Sequence, residues 1–282
     1  NMAEPEGLEI VPIRASAPVT LGSPGTSIQP ENNQASLGGG GEQPRWEDQR
    51  DPSTQSAVTS FFRWELRTQK HICGSCGFLP DKILLIIRAV IAVWAFVILC
   101  LDLEDNLSGD TQFGRWITFL THWTYIVVCG WTIVALITHL LAPSEGPLET
   151  VHKIIWVWFE VAWSASLTID ILFWALVYDG EASYLSVHKH LVQWLWLTID
   201  ALFNELVVEI RHIVFPFGFL LLYLIFNGLY VGAAGEEPNY TVLTWDSGKT
   251  AIYVFAAIIV YVLSYASCFG LIYLRSKFVV RT

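Results

Sequence analysis

Apolar residues in this chain gather in six blocks separated by short polar stretches, at 82–103, 116–141, 151–178, 188–209, 213–232 and 250–274. Each block is near the length of ~20 residues that crosses a hydrocarbon core of ~30 Å. Pro143 and Gly146 break the pattern after the second block, Gly180 after the third, and Gly232, Gly235 and Pro238 after the fifth. The fourth and fifth blocks meet at Arg211 and His212 with almost no polar loop, which predicts a tight antiparallel hairpin. The pattern as a whole predicts an all-α integral membrane bundle of about six transmembrane helices.

Residues 1–56 read differently. "SAPVTLGSPGTSIQPENNQASLGGGGEQP" is rich in Ser, Gly, Pro and Gln and has almost no aromatics. Such a segment cannot bury enough apolar area to offset its ordering entropy, so a disordered tail is expected. A cytoplasmic juxtamembrane segment at 57–81 and a six-helix transmembrane domain at 82–282 follow. Composition agrees, with 53% hydrophobic and 15% charged residues, against about a quarter charged in soluble domains. The acidic tail supplies much of the net charge of −10, a balance that argues against nucleic acid. No basic start followed by a short apolar stretch is seen, so the first span is expected to act as the targeting signal.

Charge also predicts orientation. Arg63, Arg67, Lys70 and Lys82 precede the first span, and Arg275, Lys277 and Arg281 follow the last. The loop after the first span is read as acidic, with Asp102, Glu104, Asp105 and Asp110. Both termini are therefore expected in the cytoplasm. The sequons at Asn106 and Asn239 then fall on the outer side as candidate glycosylation sites. Cys73 and Cys76 form a lone CxxC beside the first span, a candidate palmitoylation pair. A zinc site would need two more ligands, so no metal or other cofactor is expected. Arg88, about two turns into the first span, is read as a snorkelling residue.

"HLVQWLWLTIDALFNELVVEI" places acids and amides inside an apolar run. At helical spacing His190, Gln193, Asp200 and Asn204 share an arc of about 80°. In the second span Thr118, Thr121, His122, Tyr125, Cys129 and Thr132 share an arc of about 100°. The third span adds Glu160, Ser164, Thr168 and Asp170. Charges facing lipid are costly, so these stripes should face the bundle interior or a wet cavity. Depth along the helices predicts a pocket open to the outer side, with Asp200 and Asn204 at its floor. His212 joins the polar network at the start of the fifth span. The bland reading is a set of polar contacts between helices.

The stretches "LLIIRAVIA", "TFLTHWTY", "HLVQWLWLTIDALFNELVVEIRHIVFP", "LIFNGLYVGA" and "YTVLTWD" together resemble a Rolling stone-type membrane protein. The resemblance runs from about Phe61 to the C-terminus. It implies a non-catalytic role in contact between cells or myoblast-type fusion, at the plasma membrane rather than the endoplasmic reticulum. The chain more distantly resembles the androgen-induced membrane hydrolases, which cleave fatty acid esters of hydroxy fatty acids with an intramembrane Thr and His. In those enzymes the Thr follows an aromatic–aliphatic pair, as Thr121 follows Phe119 and Leu120. Their His is the second of an H-x-x-H pattern, where this chain has His190 and then Gln193. Gln cannot act as a general base, so His190 or His122 would have to serve. Expected partners are membrane lipid, a lipid ester, and a protein partner or a second copy of the chain. A proton- or ion-coupled transporter using Asp200, Asp170 and Glu160 is the remaining reading.

Overall fold

A computed structural model describes residues 76, 79–108, 113–141 and 150–279. The expected tail (1–56), most of the juxtamembrane segment and Cys73 lie outside the described residues.

The described chain is all-α. Helix α1 spans Asp81–Ser108, the short α2 Phe113–Trp116, α3 Leu120–Leu140 and α4 Thr150–Leu172. A π-helical turn, Phe173–Val177, ends α4. Helix α5 (Tyr184–Val187), a second π turn (His188–Val192) and α6 (Gln193–Phe203) form one interrupted rod. A 3-10 turn (Ile210–Ile213) leads into α7 (Val214–Asn227), which runs on through a third π turn, Gly228–Ala233. Helix α8, Gly248–Val279, completes the bundle.

Five of these rods are long and apolar enough to cross a membrane: Asp81–Asn106, Leu120–Leu140, Thr150–Val177, Ile210–Ala233 and Gly248–Phe278. Their outward faces are apolar. Ile86, Val90, Val93 and Val97 on α1, and Ile252, Phe255, Ile259 and Leu263 on α8, are all exposed. Apolar surface this continuous belongs in lipid. The chain is a multi-pass helical membrane protein.

Successive helices alternate in direction. One end, called basal here, holds Asp81, Leu140, Thr150, Phe203 and Val279; the distal end holds Leu120, Val177, Tyr184, Ala233 and Gly248. Helix α4 is central, packed against α3, α6, α7 and α8. Its Trp156, Phe159, Ala162 and Trp163 form the core with Val128, Trp131, Leu197 and Cys268. Helices α3 and α4 approach closely at Gly130, where a Cβ would lie 2.7 Å from the Trp158 ring.

The fourth span departs most from expectation. The sequence predicts a helix over 188–209 turning at once into the fifth. Instead α6 stops at Phe203, and Asn204 takes extended geometry with φ −86° and ψ 175°. Residues 204–209 are irregular, so Glu205 and Glu209 lie beyond the helix rather than on it. Asn204 causes the break. Its Oδ1 accepts the Leu206 N–H at 2.8 Å, and its Nδ2 donates to Asp200 Oδ2 at 2.6 Å. Such short local bonds compete with helix continuation.

Non-helical backbone at membrane depth survives only when its polar groups find partners. Here they do. Arg275 of α8 donates through Nη1 to the Ala201 carbonyl and through Nη2 to the Leu206 carbonyl. Trp156 Nε1 donates to the Val207 carbonyl at 2.6 Å. The Glu209 N–H goes to Glu160 Oε1 at 3.2 Å, and the Glu209 carbonyl accepts Tyr265 O–H at 2.6 Å. Cys76 closes the helix end from outside, its N–H donating to the Phe203 carbonyl at 2.9 Å.

Candidate functional site

The polar residues singled out in the sequence separate into three groups.

The basal group holds Asp200 and Asn204. Asp200 receives Arg88 through Nε at 2.6 Å and Nη2 at 3.1 Å, and Arg88 Nη1 lies 3.2 Å from His139 Nδ1. Asn204 Oδ1 also accepts Arg275 Nη1 at 3.0 Å. This corrects two expectations. Arg88 does not snorkel to an interface; it is 3% exposed and grips a carboxylate inside the bundle. Asp200 and Asn204 do not floor a pocket open at the distal end. They sit at the basal end, because α6 stops one turn after Asp200. A planar guanidinium satisfies both carboxylate oxygens at once, which suits a site closed to water.

The second group is Glu160 and His212. Both side chains are fully buried, with His212 Nδ1 lying 3.0 Å from Glu160 Oε2. With the Glu209 N–H on its other oxygen, Glu160 fastens the irregular segment to α4. Both groups hold the broken fourth span in place.

The distal group surrounds an apolar cavity of about 80 Å³. Its walls come from α3, α4 with its π turn, α7 and α8, with Ile169, Leu220, Leu224 and Val254 among them. Three polar residues stand out on the walls: Thr121, His190 and Tyr240.

Local chain geometry explains how each arrives. Between α2 and α3 the chain breaks, with Phe119 extended at φ −85° and ψ 133°, so Thr121 falls in the first turn of α3. His190 lies in the second π turn with φ −127° and ψ 15°. Its ring stacks on Phe173 at a centroid distance of 3.6 Å and 3° between planes. Its Nδ1 is buried with no hydrogen-bond partner among the described residues. Tyr240 comes from the loop between α7 and α8. Its hydroxyl is buried beside Thr121 and Tyr223.

That loop closes over the cavity, placing Val242 and Leu243 on its wall. It is pinned at both ends. Gly235 turns the chain with φ +74°, a conformation open to glycine without strain. Trp245, at φ 59°, packs its side chain on Gly228 and Gly232 and donates Nε1 to Asn227 Oδ1 at 2.7 Å. Asn239 Nδ2 donates to Thr118 Oγ1 at 2.6 Å.

His122 stands apart from the cavity. Its ring stacks on Trp116 at 4.4 Å, its Nδ1 lies 2.5 Å from the Trp116 carbonyl, and its Nε2 lies 3.3 Å from Lys189 Nζ. Lys189 Nζ and Trp116 Nε1 bind Asp102 at 2.6 and 2.8 Å. Asp102 is therefore buried on α1 rather than part of an acidic loop. Gln193 is fully buried on α6 and absent from the cavity wall. Asp170 lies next to it rather than beside Asp200.

Arg88, Asp102, Lys189, Arg275 and Tyr240 were not picked out as site residues from the sequence. The charged ones carried a signal, since each stands in or beside an apolar block. Tyr240 carried none, because its place depends on the fold of a loop.

Comparison with known proteins finds no matching family model, no matching curated protein and no matching solved structure.

Proposed function

We propose that the distal cavity is the site of an intramembrane hydrolase acting on a lipid ester, with Thr121 as nucleophile and His190 as base. The observation that carries this is that Thr121 and His190 both line one apolar cavity. The apolar walls match the chemistry of an acyl chain, whose ester carbonyl would lie near Thr121. His190 Nδ1 has no competing partner, whereas both ring nitrogens of His122 are engaged. His190 therefore takes the Thr121 hydroxyl proton as Oγ1 attacks the carbonyl carbon. The alcohol leaves with that proton, and water then releases the acid from the acyl-threonine. The Tyr240 hydroxyl, beside Thr121, is a donor for the developing oxyanion.

The likeness to the androgen-induced hydrolases supports this reading at Thr121 and departs from it at Gln193. The short-loop charges support cytoplasmic termini and a cavity opening outward, and the Rolling stone likeness supports residence in the plasma membrane. The role in cell contact implied by the Rolling stone likeness would follow if the cavity held a lipid without cleaving it.

The test is hydrolysis of a fatty acid ester of a hydroxy fatty acid by the protein in lipid vesicles. Wild type should turn over, and Thr121→Ala and His190→Ala should each lose ~100-fold or more. His122→Ala should lose far less. Equal rates in wild type and Thr121→Ala would overturn the reading.

A further inference from the structure

His190 lies where the backbone leaves helical geometry, at φ −127° and ψ 15° inside the π turn His188–Val192. Regular backbone bonds alone do not fix such a residue, and side chains grip the turn from two sides. On the α4 side, Trp174 Nε1 donates to the His190 carbonyl at 2.7 Å, and the Phe173 ring stacks on the imidazole. On the α1 side, Lys189 Nζ donates to Asp102 Oδ1 at 2.6 Å, across 87 residues of sequence. The Asp102 side chain is 2% exposed and both of its oxygens have donors. Oδ2 accepts Trp116 Nε1 at 2.8 Å, and Asn106 Nδ2 lies 3.4 Å from Oδ1. His122 Nε2, 3.3 Å from Lys189 Nζ, is a longer contact beside these bonds. Trp116 thus holds the carboxylate from one element while Oδ1 serves Lys189 from another.

Cohesion of the bundle does not account for this pair. Apolar side chains of similar volume often hold a fold as well as a buried ion pair, or better. What they lack is direction. Successive residues on a helix diverge by about 100°. Lys189 leaves the turn toward Asp102 on α1, and His190 leaves it toward the cavity. Fixing the Lys189 end fixes the rotation of the turn, and with it the direction of the imidazole. Neither Asp102 nor Lys189 lines the cavity.

We propose that the buried Asp102–Lys189 ion pair is the positioning device for His190, anchoring the π turn to α1 so that the imidazole stays on the cavity wall. The order of bonds is Trp116 Nε1 to Asp102 Oδ2, then Lys189 Nζ to Asp102 Oδ1, one residue before His190. Asp102 and Lys189 are positioning residues and act through the turn. The proposal deepens the hydrolytic reading and rests on it for the role of His190, but not for the placement of its ring.

The test uses the full chain and a variant that leaves no charge unpaired, Asp102→Asn with Lys189→Met. The asparagine oxygen still accepts Trp116 Nε1, so this double variant should fold with thermal stability close to wild type. Modification by diethyl pyrocarbonate, with peptide fragmentation to separate His190 from His188, reads the placement of the ring. The His190 rate should rise by roughly tenfold as the turn is released, the factor for one hydrogen bond to a charged group. In lipid vesicles kcat for the ester should fall by a similar factor while KM stays unchanged. Lys189→Arg keeps the charge and the donors, so both readouts should stay close to wild type. A double variant whose His190 reacts at the wild-type rate would overturn the proposal. So would one that fails to fold, which would mean that the pair holds the bundle rather than the turn, or a Lys189→Arg variant as altered as the double. The modification rate does not depend on ester cleavage. A wild-type protein without turnover would therefore sink the hydrolytic reading alone, and the His190 rate would still decide the placement.

Discussion

Arg88 and Asp200, 112 residues apart, meet through two hydrogen bonds inside the basal end of the bundle, Nε to Oδ1 at 2.6 Å and Nη2 to Oδ2 at 3.1 Å. Asp200 passes the connection to Asn204, and Asn204 passes it to Arg275. Helices α1, α6 and α8 are therefore tied at the point where α6 breaks.

Removing one partner of a buried ion pair leaves the other charge uncompensated, at a cost of about 3–5 kcal/mol. Asp200→Leu should therefore lower thermal stability in detergent sharply. Arg88→Met combined with Asp200→Leu should recover part of the loss. A double variant as unstable as the sum of the singles would show that the two residues do not act as a pair.

Arg275 serves three acceptors through a planar fork: the Ala201 carbonyl, the Leu206 carbonyl and Asn204 Oδ1. Lysine keeps the charge but lacks the fork. Arg275→Lys should be nearly as destabilising as Arg275→Met, and hydrogen exchange should rise at 204–209. Protection equal to wild type in Arg275→Lys would mean that charge alone suffices.

A methyl group at Gly130 would meet Trp158 Cζ2 at 2.7 Å, and that indole is held by its Nε1 bond to the Val127 carbonyl at 2.9 Å. Gly130→Ala should therefore cost about 1–3 kcal/mol through overpacking, despite alanine's better helix propensity. Pairing it with Trp158→Leu should relieve the strain. Greater stability in Gly130→Ala alone would contradict the contact.

Both sequon asparagines already use the nitrogen that a glycan would occupy. Asn106 Nδ2 donates to the Asp102 carbonyl at 2.6 Å, and Asn239 Nδ2 donates to Thr118 Oγ1 at 2.6 Å. Protein from a secretory-competent cell should show no mobility change on enzymatic deglycosylation. A shift lost in Asn239→Gln would mean that the loop over the cavity folds differently when modified.

Hydrophobic block length made the apolar rods readable, because crossing a bilayer fixes the number of residues needed. Helical periodicity put Thr121 and His122 on one face and His190, Gln193 and Asp200 on another, and all of these side chains are buried. Partners were not readable. Arg88 looked like an interface residue because nothing local shows that Asp200 lies across from it. The break at Asn204 was missed because an Asx-type turn and Arg275 together outweigh an unbroken apolar pattern. Periodicity assumed a regular helix through His190, whereas the π turn rotates the residues after it. That is why His190 lines the cavity while Gln193, three residues on, does not.

The most direct measurement is fluorophosphonate labelling of the folded, monodisperse protein, with peptide mass to locate the adduct. The account predicts an adduct on Thr121, absent in Thr121→Ala, strongly slowed in His190→Ala and little changed in His122→Ala. A folded wild-type protein that takes no label, or one labelled equally well without Thr121, would contradict it.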